Sequence, residues 1–62
     1  MGPRTEWGAA ALADGILTGV DLTGANLDDA DLTGADLIDA GLLDAALGGA
    51  DLTGADLRGA AA

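Results

Sequence analysis

A leucine stands at every fifth position over most of the chain: Leu12, Leu17, Leu22, Leu27, Leu32, Leu37, Leu42, Leu47, Leu52 and Leu57. Five residues of α-helix sweep about 140° past a full turn, so such leucines spiral around the cylinder instead of forming one apolar stripe. In a flat strand an odd period sends successive side chains to opposite faces. All these leucines share one core only if the backbone turns a corner after each of them and every leucine points at a common axis. The pattern predicts a solenoid.

The flanking columns agree. Two residues before each Leu stand Ala10, Gly15, Val20, Ala25, Ala30, Ala35, Ala40, Ala45, Ala50 and Ala55, all small. A large and a small inward residue at period-two spacing suit a narrow tube. Two residues after each Leu the chain uses only Gly or Asp: Asp14, Gly19, Gly24, Asp29, Gly34, Asp39, Asp44, Gly49, Gly54 and Gly59. Gly adopts positive φ without steric cost and Asp tolerates it, so this column predicts the third position of a type II β-turn.

The units ADLTG at 30–34 and 50–54, ANLDD at 25–29 and ADLID at 35–39 resemble the A(D/N)LXX consensus of pentapeptide-repeat proteins. The resemblance implies an all-β fold: a right-handed quadrilateral parallel β-helix, in which four pentapeptides make one square coil and parallel backbone pairing joins neighbouring coils. On that reading the chain forms just under three coils. An N-terminal tail (1–4) precedes a β-helix (5–62) made of a degenerate first repeat (5–9), regular repeats (10–59) and an incomplete last repeat (60–62). Ile16, Gly41 and Ala46 stand where the motif has Asp or Asn, which affects the outer surface more than the fold.

Extending the register describes the ends. Trp7 lies five before Leu12 and stacks beneath Leu27 and Leu47, where its ring is expected to plug the lower end of the core. Ala62 takes the place of a leucine at the other end, where no cap is evident. The tops of Leu42, Leu47, Leu52 and Leu57 are expected to be open, and edges of this kind invite pairing. Two readings follow: self-association, in which the C-terminal coil docks on a second copy as in several members of the family, or a truncated fragment of a longer repeat protein.

Stacking in fours distributes charge over the faces. One face carries Asp31 and Asp51, the next Asp36 and Asp56, the third Asp21, Gly41 and Ala61, and the fourth Glu6, Asn26 and Ala46. Asp31, Asp51, Asp36 and Asp56 are the candidate acidic binding faces. The net charge is −9 with Arg4 and Arg58 the only cations, and Arg58 shares a face with Asp36 and Asp56. Such a surface repels phosphate backbones and excludes direct nucleic-acid binding.

The resemblance adds an alternative function, since some family members are acidic mimics of duplex DNA that bind type II topoisomerases such as gyrase. Size weighs against it: at about 4.8 Å per coil the array spans roughly 13 Å, against about 34 Å for one DNA turn.

Other chemistry finds little to work with. The chain has no His, Cys, Lys, Tyr or Ser, so the usual nucleophiles and bases are missing apart from Thr, and no catalytic site is expected. Asp28, Asp29 and Asp31 lack the order of ligands of a calcium loop, so no specific metal site and no cofactor are expected. Ile38 and Leu43 stand where polar residues are usual and, with Gly41 and Ala46, form a candidate apolar interface. No stretch reads as a signal peptide or membrane span, no membrane association is expected, and the lack of Cys favours a reducing, cytoplasmic setting. The sequence thus points to a non-catalytic structural or protein-protein interaction module.

Overall fold

A computed structural model describes residues 6–8 and 10–62. The expected tail (1–4), and Thr5 and Ala9 of the expected first repeat, lie outside the described residues.

Each leucine is followed by a corner. The N–H three residues on donates back to the leucine carbonyl at 2.9 to 3.2 Å, from Gly15 to Leu12 through Ala60 to Leu57. The third residue of every one of these turns has positive φ, 59 to 61° at Asp14, Asp29, Asp39 and Asp44 and 68 to 72° at the six glycines of the column. These are type II turns, and the restriction of the column to Gly and Asp follows from its backbone conformation. The Trp7 C=O likewise accepts the Ala10 N–H at 3.0 Å.

Four corners bring the chain back over itself. Parallel bridges join residues twenty apart: Glu6 to Asn26 to Ala46, Ala11 to Asp31 to Asp51, Ile16 to Asp36 to Asp56, and Asp21 to Gly41 to Ala61. Among the described residues the pairing consists of these isolated bridges and not of extended strands. A corner every five residues leaves one bridging residue on each side, too short a run for a ladder to lengthen. Each pentad nevertheless makes three bonds between coils. Leu22 N–H donates to Gly41 C=O at 2.7 Å, Gly24 N–H to Leu43 C=O at 2.8 Å, and Gly41 N–H to Val20 C=O at 2.9 Å.

The axis is filled by Leu22, Leu27, Leu32 and Leu37, all fully buried, interleaved with buried Ala25, Ala30, Ala35 and Ala40. Burying a leucine stabilises by about 1.5–3 kcal/mol, and the small column lets opposing leucines meet across the tube. Trp7, Leu12, Leu47 and Leu52 pack on this core from its two ends and are only partly buried. The expected opening over Leu42 is not present. Leu42 is 6 % exposed, because Ala60 packs against the core and Ala61 lies directly above, accepting the Leu42 N–H at 2.6 Å. Exposure at the upper end starts with Leu47 and is greatest at Leu57, at 39 %. Cα extents of 23 × 22 × 16 Å describe a squat block, not a rod.

Candidate functional site

The structure stacks Asp31 with Asp51 and Asp36 with Asp56 on their expected faces, where each side chain also bonds its own corner. Asp31 Oδ1 accepts the Thr33 N–H at 3.0 Å and the Thr33 hydroxyl at 2.6 Å. Asp51 does the same with Thr53, at 3.0 and 2.6 Å. Asp36 accepts the Ile38 N–H at 3.0 Å through Oδ1 and the Thr18 hydroxyl at 2.9 Å through Oδ2. Asp56 accepts the Arg58 N–H at 3.2 Å and pairs with the guanidinium at 2.7 Å, so of its two acidic neighbours Arg58 takes Asp56. Asn26 completes the set, accepting the Asp28 N–H at 3.0 Å and donating to Glu6 at 3.2 Å.

These are Asx turns, in which a short acceptor side chain bonds the backbone two residues on. Hydrogen bonds to the ionised form favour it. The Thr33 hydroxyl and then its amide hold Asp31 below the ordinary carboxylate range, and Thr53 does so for Asp51. Thr23 lowers Asp21, and the Arg58 side chain and amide lower Asp56. The triplets Asp21-Leu22-Thr23, Asp31-Leu32-Thr33 and Asp51-Leu52-Thr53 were the signal for this role in the sequence.

Apolar candidates separate by exposure. Ile38 is half-buried and Leu43 is 52 % exposed, whereas Ile16, which the sequence suggests only as a gap in the motif, is 84 % exposed. Ile16 bridges to Asp36 and therefore sits at the foot of an acidic face. Trp7 lies half-buried against the core at the lower end, its backbone N–H donating to Asn26 C=O at 2.7 Å. Among the described residues there is no cavity, no group of three or more acidic, His or Cys side chains placed to hold a metal, and no helix long and apolar enough to cross a membrane.

The ends of the ladder differ in hydrogen-bonding character. At the upper edge the N–H groups of Leu52 and Gly54 and the C=O of Ala50 have no backbone partner among the described residues, and the neighbouring pentads repeat that set. At the lower edge the C=O groups of Ile16 and Thr18 and the N–H of Ile16 have none. The upper edge thus offers two donors and one acceptor per pentad, the lower edge two acceptors and one donor.

Comparison with known proteins agrees with this geometry. A family profile described as "Pentapeptide repeats" matches residues 16–54 in 8 copies. Among solved structures, the pentapeptide repeat protein Rfr23 from the cyanobacterium Cyanothece 51142 is 39% identical and superimposes with a TM-score of 0.94, over 95% of this chain and 40% of that one. The chain therefore spans 40% of the length of that protein. No curated protein matches it significantly. So close a likeness implies the right-handed β-helix of that structure, and with the repeat units matched over most of its length the chain belongs to the pentapeptide-repeat family.

Proposed function

We propose that the chain is a non-catalytic structural and protein-interaction module: a quadrilateral β-helix of just under three coils, plugged below by Trp7, that works through its surfaces and self-associates through its upper coil. The observation that carries this reading is the contrast between faces and edge. The acidic side chains of the faces are largely bonded to their own corners, whereas the upper edge holds backbone groups that have no backbone partner among the described residues, around the half-exposed Leu52 and Leu57. Walls that hold no pocket among the described residues, in a chain without His, Cys or Lys, support a binding role over chemistry. The lack of cysteine fits a cytoplasmic site of action.

Light scattering on the purified chain, with circular dichroism on the same samples, tests this. The expected result is a folded β signal and a mass that rises above 5.9 kDa with concentration. A folded chain that stays monomeric at millimolar concentration rules out association through the upper coil.

A further inference from the structure

We propose that Asp14-Gly15 is a site of covalent modification, where the backbone cyclises onto the Asp14 carboxyl and converts it to isoaspartate, and that the corner it occupies holds this reaction back. The chain carries its own controls. Asp14, Asp29, Asp39 and Asp44 all stand third in a type II turn with φ of 59 to 61°. The N–H that follows each donates to a leucine carbonyl, Gly15 to Leu12, Ala30 to Leu27, Ala40 to Leu37 and Ala45 to Leu42, at 3.0 or 3.1 Å. Only Asp14 is followed by glycine. A side chain on the following residue crowds ring closure at its nitrogen, and Gly15 has none. A Cβ at Gly15 would stand 2.9 Å from the Leu12 carbonyl oxygen, so the corner itself favours the residue that leaves this nitrogen uncrowded. The face acids Asp21, Asp31 and Asp36 are instead followed by core leucines, and each carboxylate accepts the N–H two residues on. The Asp14 carboxylate is exposed and leans on Gly34 of the coil above, where a Cβ would run into it.

The Gly15 nitrogen gives up its proton and bonds Cγ of the protonated Asp14 carboxyl, whose hydroxyl leaves as water, and a cyclic imide results. Water then opens the ring. Cleavage of the new bond returns aspartate, whereas cleavage of the original peptide bond leaves isoaspartate, with the backbone running through Cβ and Cγ. Water is the only co-reactant. While the corner is closed, Leu12 holds the Gly15 N–H, and both flanks are tied to the coil above: Asp14 N–H to Thr33 C=O and Asp36 N–H to Gly15 C=O, each at 2.8 Å. The nitrogen must leave that geometry to attack, so the rate follows the population in which the corner is open. Once formed, isoaspartate inserts an extra methylene between those anchors. The pentad then no longer matches the one above it.

Incubation of the 62-residue chain at neutral pH, folded in buffer and unfolded in guanidinium chloride, tests this. Circular dichroism checks each state, and electron-based fragmentation in the mass spectrometer tells isoaspartate from aspartate. In denaturant, isoaspartate is expected to build up about tenfold faster at Asp14 than at Asp29, Asp39 or Asp44. In the folded chain the rate at Asp14 is expected to fall by at least about tenfold. The aged parent chain should melt below fresh protein, while Asp14→Gly, which keeps a residue type of the corner column, should not change on ageing. Equal build-up at all the corner acids in denaturant overturns the site. Equal rates at Asp14 in the folded and unfolded chain overturn the restraint by the corner, and an aged, modified chain that melts like fresh protein overturns the loss of register.

Discussion

Asp28 Oδ1 accepts the Gly48 N–H at 2.8 Å across the gap between neighbouring coils. In most pentads that N–H is served from within, by the Asp or Asn two residues earlier, but Ala46 has no acceptor to offer. Asp28 supplies it from the coil beneath, and the exchange depends on Gly48. A Cβ there would stand 3.1 Å from the same oxygen, closer than ordinary contact. The missing motif residue, the acid below and the glycine above form one unit.

That unit predicts a rescue. Asp28→Ala should lower the thermal midpoint by about 5 °C through loss of the bond, and Ala46→Asp should restore most of the loss by supplying the acceptor locally. Thermal melts of the two single variants and the double variant measure the coupling. Equal and additive effects would show that Asp28 does not substitute for the missing side chain.

The corner column makes a second comparison possible. Gly49 and Gly54 both have φ near 70°, yet their surroundings differ. A Cβ on Gly54 meets only the Gly34 backbone at 3.9 Å, whereas one on Gly49 runs into the Asp29 carboxylate. Gly54→Ala should therefore cost only the left-handed conformation, about 1–2 kcal/mol. Gly49→Ala should cost clearly more, with the excess removed by Asp29→Gly. Denaturant midpoints decide it, and identical losses at the two sites would mean that the acid moves aside freely.

Much of this architecture was legible because a repeat states each rule many times. The leucine period predicted the corners, and the Gly or Asp column predicted their positive φ. The site was less legible. Reading Asp31, Asp51, Asp36 and Asp56 as outward-pointing predicted their faces but missed the bonds to Thr33, Thr53, Ile38 and Arg58, which depend on side-chain rotamers that periodicity does not specify. The exposure of Ile16 is illegible for a similar reason. As a deviation from a motif it is only a missing acid, and its exposure depends on lying in the lowest coil with nothing described beneath it. Leu42 departs in the opposite direction, since Ala60 and Ala61 cover more of the axis than a missing leucine suggests.

The Asx turns make stability depend on pH. Asp21, Asp31, Asp51 and Asp56 are each held below the ordinary value of 3.8 in the folded chain, so unfolding raises their affinity for protons. Their contribution is complete above the unfolded value and disappears as pH falls through the folded values. The thermal midpoint should thus be insensitive to these groups above about pH 5 and should fall below about pH 4. Thr33→Val with Thr53→Val removes the hydroxyl donors that lower Asp31 and Asp51 most, and should flatten the acid limb. Melts from pH 7 to pH 2 check both statements, and a midpoint that rises on acidification would mean that relief of acidic repulsion outweighs these bonds.

Trp7 reports on the lower end by itself, being the only aromatic residue in the chain. Its backbone takes part in the first coil-to-coil bond and the first corner, and its ring lies half-buried against the core. Trp7→Ala removes cover from the lowest leucines without disturbing the central Leu22 to Leu37 layer. It should cost about 2 kcal/mol, less than the 2–5 kcal/mol expected for emptying a fully buried site such as Leu27→Ala. Tryptophan emission gives an independent measurement on the parent chain. If the ring seals the core, quenching by iodide should be weak in the folded chain and should rise together with loss of the circular dichroism signal. Quenching that is already complete at low temperature, with a stable Trp7→Ala variant, would show that the end of the tube holds without it.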